Sequence, residues 1–432
     1  MKSERQKEVR PLRPEQKRFL ASQVMASVYN SLVSGVLMTG FLLYLGVAPS
    51  KVGVVLSIPL LANIFQLMLE RIWSGLPDSG RTINRMVFAG RMLILSIILV
   101  PLFLPGQDVR IAGTLSARTA MAGVILAFAY TIAASSGIRL NYWMVNMVDA
   151  DIQGTFFARR DRIVVVITTV LSFLGGMLID ELKANEREYI GFAAVFFAAA
   201  VIAAADYAII RKIPYVEMHP AQEKQSFQKY VGCLRSDRRF GMFLFYMFWL
   251  NFAINMANPY YNAYMLDKLH LSFTHVMLLT SLQVLIQMLV APIWGRIANR
   301  IHWNRILLVT TASLGVQFFI WPLVTSQSIG LILVIFLTSG LISTGLVTSQ
   351  FMIPYDYIKP DRAMAYLGLA TAVTACGGFI GSFTGSRLIS RLEQVRLEIG
   401  GMIFGSMQIN MLISGMLILG SVYYAHRMLK WK

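Results

Sequence analysis

Charge is what this chain has least of. Only 14% of its 432 residues are charged, 56% are hydrophobic, and mean hydropathy is +0.59. Soluble domains carry roughly 25% charge, and a soluble enzyme of this length would need far more polar surface. A bilayer is therefore the main solvent. Cysteine is scarce too: Cys233 and Cys376 support neither a disulfide framework nor a thiolate metal site. The five histidines (His219, His270, His275, His302 and His426) sit at or beyond the ends of apolar segments, which argues against haem or zinc inside the membrane. No cofactor is expected. Acid is also short, with 22 Asp+Glu against 39 Lys+Arg, a formal net charge of +17. Nucleic-acid binders share that imbalance, but in a membrane chain basic residues mark the cytoplasmic side.

What is present is a series of long apolar runs. A helix needs ~20 mainly apolar residues to cross the hydrocarbon core. Twelve stretches qualify: 19–45, 52–72, 86–104, 119–148, 163–179, 189–210, 240–266, 273–294, 306–323, 329–353, 363–385 and 400–424. They are long and do not alternate at period two, so helices are expected rather than a barrel. The expected fold is an all-α membrane protein, twelve transmembrane helices in two pseudo-symmetric six-helix bundles. Its parts are a basic tail (1–18), a first bundle (19–210), a linker (211–239), a second bundle (240–424) and a short tail (425–432). With both termini inside, 28 of the 39 Lys+Arg fall in cytoplasmic segments, which sets both ends in the cytoplasm of a cell membrane. That asymmetry removes any need for a nucleic-acid partner. The run 19–45 is too long for a signal-peptide core and reads as an uncleaved first span.

The chain also repeats. An offset of 221 residues lays Asn30 on Asn251, Ser34 on Asn255, Gln66 on Gln287, Trp73 on Trp294 and Asp78 on Asn299. Several matches at one offset, within spans already paired by order, indicate two related halves. Such halves place a substrate site between them at the midplane and rock to expose it to each side in turn.

The second-half loop Gly295-Arg296-Ile297-Ala298-Asn299-Arg300-Ile301-His302-Trp303-Asn304-Arg305 and its first-half copy Ser74-Gly75-Leu76-Pro77-Asp78-Ser79-Gly80-Arg81 resemble the loop signature of the major facilitator superfamily. That signature reads Gly-x-Leu-Ala-Asp-Arg-x-Gly-Arg between the second and third helices of each half. Asn299 and His302 depart from it, as does Ser74. The resemblance implies a transporter whose gate residues are Asp78 and Arg81, with Arg300 or Arg305 as counterparts. An Asp near a helix end and a neighbouring Arg can make and break a charge-assisted bond as bundles rock. The plainer alternative is a basic turn that only sets topology. Antiporters of the family often carry a Gly-Pro-rich motif in the fifth span; here Ser172-Phe173-Leu174-Gly175-Gly176 lacks the proline.

Polar side chains inside spans mark either a cavity or a helix contact. Asn251, Asn255, Asn258 and Asn262 fall on one helical face. Gln23, Ser27, Asn30 or Ser31, and Ser34 form a comparable line in the first span. Asn63 with Gln66, and Gln283 with Gln287, add amides to the second and eighth. Pro259 interrupts the helix beside the asparagines and frees carbonyls. The expected lining is Tyr29, Asn30, Gln66, Arg139, Asn251, Asn255, Asn258, Gln283 and Gln287, with Tyr260, Tyr261 or Tyr264 nearby. The alternative is structural glue, each amide worth ~0.6–2 kcal/mol. Arg139 lies nine residues inside the fourth span, ~13 Å deep. It either binds an anionic or hydroxyl-rich substrate or snorkels; Arg91, nearer an end, is expected to snorkel. Within spans the acids are Glu70 and Asp206, both towards cytoplasmic ends, a poor place for proton coupling. Gly377, Gly381 and Gly385 recur every fourth residue and read as a packing surface. The expected function is a monomeric secondary transporter of a small neutral polar or anionic solute, its coupling ion open. A drug–proton antiporter and a lipid flippase of the same fold are the alternatives. No activated nucleophile or paired catalytic carboxylates point to an enzyme.

Overall fold

The computed structural model describes residues 12–73, 79–104, 110–112, 115–149, 152–215, 238–325, 328, 330–354, 363–399 and 402–428. The first half comprises α1 (Pro14–Val33), α2 (Gly35–Tyr44), α3 (Pro49–Leu56), α4 (Ile58–Trp73), α5 (Gly80–Leu95), α6 (Val100–Phe103), α7 (Ala117–Met147), α8 (Gln153–Ala184) and α9 (Glu188–Ile210). The second comprises α10 (Arg238–Ala257), α11 (Tyr260–Ala263), α12 (Phe273–Ile320), α13 (Gly330–Met352), α14 (Ala363–Arg391) and α15 (Ser406–Met428). Two small antiparallel hairpins, Arg110–Ala112 with Leu115–Ser116 and Leu397–Ile399 with Met402–Phe404, close connections at one end. Most of the expected linker, and all of the far N-terminal tail, lie outside the described residues.

Nine stretches among the described residues are long and apolar enough to cross a bilayer. One of them contains α12, whose 48 residues would run ~72 Å if straight, over twice a ~30 Å hydrocarbon core. It is not straight. His302 takes φ 60 and ψ 152, a left-handed backbone rare outside glycine, and the helix doubles back there. Gly345 of α13 accordingly lies against both Trp294 and Thr310. The two limbs of α12, with α3–α4 and α14, add traverses to these nine in the order of the apolar runs. The fifth is longer than its apolar run, extending as α8 beyond 163–179 at both ends.

Two traverses are broken near their middles. At Ser34 the backbone is extended (φ −136) and Gly35 has φ 57, which glycine adopts without a Cβ penalty. Asn30's carbonyl loses its helical partner, and the Ser34 hydroxyl donates to it at 2.6 Å. In the seventh traverse Pro259 has no N–H, which frees the carbonyl of Asn255. Ser382 Oγ donates to that oxygen at 3.1 Å, and Asn410 Nδ2 donates to the next, Met256, at 2.7 Å.

Packing is tight where small residues allow it. Gly377, Gly381 and Gly385 press on the backbone of Phe248, Phe252 and Met256, so α14 and α10 touch main chain to main chain. The glycine stripe is a seam inside the second bundle. Gln317 bridges α12 to α13, its Nε2 donating to the Ile335 carbonyl at 2.8 Å and its Oε1 accepting from Ser339 at 3.0 Å.

Arg91 does not snorkel. It turns into the first bundle and pairs with Asp206 of α9. Its guanidinium lies 5.2 Å from the centre of the Tyr29 ring, and Tyr29 Oη donates to the Arg91 carbonyl at 2.8 Å. Asp206 is 0% exposed and Arg91 13%, so removing one partner strands a charge. Arg91→Ala is expected to cost ~3–5 kcal/mol, whereas replacing both partners by Met and Leu restores most of the loss. Thermal unfolding of the detergent-purified variants measures both.

Candidate functional site: a cleft between two bundles

The bundles meet mainly at the end opposite the termini, the far end. Phe273 is the centre of that contact. As the first residue of α12 it brings backbone N–H groups that have no intrahelical acceptor. Asp180, near the end of α8 in the other bundle, supplies one. Its Oδ1 accepts from Phe273 N at 2.8 Å; its Oδ2 accepts from Thr274 N at 2.8 Å and from Thr274 Oγ1 at 2.6 Å. A carboxylate at a helix N-terminus gains from the dipole as well as from charge-assisted bonds. The Phe273 ring packs edge-on to Phe192 at 5.7 Å and against Gly40, with Lys183 Nζ 5.7 Å from its centre. Gly176 admits the Phe273–Thr274 backbone. Tyr260 leans on Gly53 of α3 and donates to the Ser382 carbonyl at 3.0 Å.

Towards the middle of the membrane α4 continues the contact with α14, Leu60 lying against Gly378 and Asn255. One turn further towards the termini, Asn63 is exposed, as are Asn30, Ser34 and Asn258 beside the two broken helices. Asn251, Asn255, Asn262, Gln283, Gln287 and Arg139 are half-buried. Asn251 and Asn255 are partly spoken for: each donates its Nδ2 to its own helix, to the Met247 carbonyl at 2.9 Å and the Asn251 carbonyl at 3.0 Å. The Oδ1 atom and the second Nδ2 hydrogen of each remain as hydrogen-bonding groups. Gln66 lies on α4, its side chain outside the described part.

The tyrosines turn away from this lining. Tyr29 is 1% exposed, held by Arg91 within the first bundle. Tyr261 stacks on Trp321 at 4.4 Å, and Tyr264 Oη donates to the Val324 carbonyl at 2.8 Å. An aromatic ring earns more by burial in either bundle than by facing a wet cleft. Asp180 was invisible to spacing arguments because its partners are main-chain groups 93 and 94 residues away. Asn410 was missed for the same reason. Among the described residues no group of three or more His, Cys, Asp or Glu is placed to hold a metal.

The model of the Major Facilitator Superfamily matches residues 19–382. The chain belongs to this superfamily. Its fold agrees: a mutant form of the nucleoside transporter NupG superposes with a TM-score of 0.73 at 13% identity, over 95% of this chain and 99% of that one. A bacterial homologue of the iron transporter ferroportin, inward-facing, gives 0.68 at 15% identity over 98% and 100%. A D-xylose–proton symporter gives 0.66 at 12% over 95% and 96%. At these identities the likeness is one of fold. No curated protein matches the sequence. The chain is thus a multi-pass membrane transporter rather than an enzyme.

In a facilitator fold the loop charges at the terminal end acquire meaning. Arg81, Arg300 and Arg305 are all exposed there and have no carboxylate partner among the described residues; Asp78 lies outside them. At the far end, by contrast, Asp180 is fully engaged. Asp180→Ala removes three hydrogen bonds between the bundles and should loosen that end alone. Spin labels at Glu181 and His275 are expected to show a longer, broader distance distribution in the variant, while labels at Arg81 and Arg300 shift shorter or hold.

Proposed function

We propose that the chain is a secondary transporter that moves a small neutral polar or anionic solute by alternating access. The structure is its state closed at the far end and open towards the termini. The observation that carries this reading is the contrast between the two ends: a three-bond cap from Asp180 joins the bundles at one, and at the other Arg81, Arg300 and Arg305 are exposed with no carboxylate partner among the described residues. The count of basic residues puts the termini in the cytoplasm of a cell membrane, so the cleft opens inwards. One chain holds both bundles and works as a monomer.

The chemistry of the lining favours an uncharged or negative substrate. Of the two acids within the apolar runs, Asp206 is committed to Arg91 and the Glu70 side chain lies outside the described residues; Asp180, in the extension of α8, is taken up by the start of α12. Lipophilic cations need a carboxylate in the cavity. The polar groups assigned to the lining are amides, hydroxyls and Arg139. The N-terminus of α2 adds to this: among the described residues its first turn has no side-chain cap, and a half-helix N-terminus at the midplane attracts anionic groups. Gating passes from one end to the other as Asp180 lets go of α12 and Arg81, Arg300 or Arg305 draw the loops together around Asp78.

Uptake and efflux of a solute panel in proteoliposomes, with and without a pH gradient, test the reading. Asn258→Ala and Arg139→Ala are expected to lower transport at least tenfold with expression and melting temperature near those of the parent. Unchanged transport would remove these residues from the site. Gradient-driven accumulation would instead bring in a protonatable carboxylate and make Glu70 the first to mutate.

A further inference from the structure

An apolar groove of about 490 Å³ runs between α1 and α8 at the terminal end, floored by Ile202 of α9. Its walls are written at helical period. Leu20, Val24 and Val28 line one side and Ile163, Ile167 and Leu171 the other, each set in steps of four along one helical face. Eight residues of helix span ~12 Å, most of the depth of one leaflet's hydrocarbon, half of ~30 Å. A groove of that shape and polarity matches an extended acyl chain.

The mouth carries two cations. Lys17 sits one turn before Leu20 on α1, and Arg159 one turn before Ile163 on α8; both belong to the groove and both are exposed. Neither has a carboxylate partner among the described residues. Their neighbours do: Arg13 pairs with Asp149 at 2.6 Å and Arg160 with Asp161 at 2.7 Å. These two cations, one on each wall and one turn above the apolar part, lie where a lipid phosphate sits above its chain. Basic pockets between transmembrane helices recognise anionic headgroups in this way.

We propose that this groove binds one acyl chain of an anionic glycerophospholipid, with its phosphate between Lys17 and Arg159. The site lies beside the solute lining and is distinct from it: the polar residues of α1, Ser27, Asn30 and Ser34, occupy the adjoining face of the same helix. It also joins the two helices that matter most for gating, α1 with its break at Ser34 and α8 with Asp180 at its far end. The lipid braces α1 against α8 through the leaflet at the terminal end.

The test uses the full chain in phosphatidylcholine nanodiscs doped with a phosphatidylglycerol probe bearing a photoreactive acyl chain. Label is expected on peptides covering 20–28 and 163–171, displaced several-fold better by unlabelled phosphatidylglycerol than by phosphatidylcholine. Lys17→Ala with Arg159→Ala, both at exposed positions, should abolish that preference while melting temperature holds. Ala21→Phe, which fills the groove, should remove the label from both helices even with the cations in place. Equal displacement by the two lipids, or label spread evenly onto lipid-facing residues such as Phe128 and Phe197, would overturn the proposal.

Discussion

No backbone N–H or C=O can stand bare in hydrocarbon, and that constraint organises this molecule. Wherever a helix is broken inside the membrane, another group must take over the orphaned polar atoms. Ser34 answers for the carbonyl of Asn30, Ser382 for that of Asn255, and Asn410 for that of Met256. The first repair is made within its own traverse, and the other two link the second break to α14 and α15. The breaks are therefore fixed points, and the polar side chains beside them are held at a defined depth.

The same constraint explains why the far-end contact is suited to a moving part. The first N–H groups of α12 need acceptors in every state. Ser272 of the same chain turn accepts from His275 N at 3.3 Å, and Asp180 satisfies Phe273 and Thr274 from across the bundle interface. If the bundles part at this end, those groups face water and remain solvated, so separation exchanges one set of partners for another. An apolar seam has no such substitute. This is the difference between the Asp180 cap, which water can replace, and the glycine seam of α14 on α10, which buries backbone against backbone within one bundle and moves as a unit.

Much of this was legible in the sequence, and the boundary of legibility is physical. Apolar run length reported the long helices and their order because the bilayer imposes it on each helix separately. The reversal near His302 was implied by the gap between the runs 273–294 and 306–323, although the helix is continuous through it apart from one residue. Pro259 announced its break directly. The glycine stripe announced close packing, but its partner could only be found in space. Arg91 failed for a related reason: alone it has the reach to snorkel, and Asp206, 115 residues away, offers a better end for that charge. For the asparagines, spacing placed four amides on one face; it could not say that two of them would turn their Nδ2 groups back onto their own helix.

The internal repeat is kept at the level of bonds more than of residues. Ser34 and Asn255 correspond across the two halves and differ in type. Yet each donates its side chain to the carbonyl four residues earlier, Ser34 to Asn30 at 2.6 Å and Asn255 to Asn251 at 3.0 Å, and those two acceptors are themselves the matched pair of asparagines. In the first half that bond accompanies the break, which glycine makes at once; in the second the break comes a turn later, where proline makes it. The two halves thus carry the same polar turn on their first helices with the discontinuity displaced along the axis. Under the proposed function a solute between them would meet two related but unequal half-sites, one at the α2 N-terminus and the other at the amide face that ends in the exposed Asn258. That inequality would then let a duplicated scaffold hold a solute in one orientation.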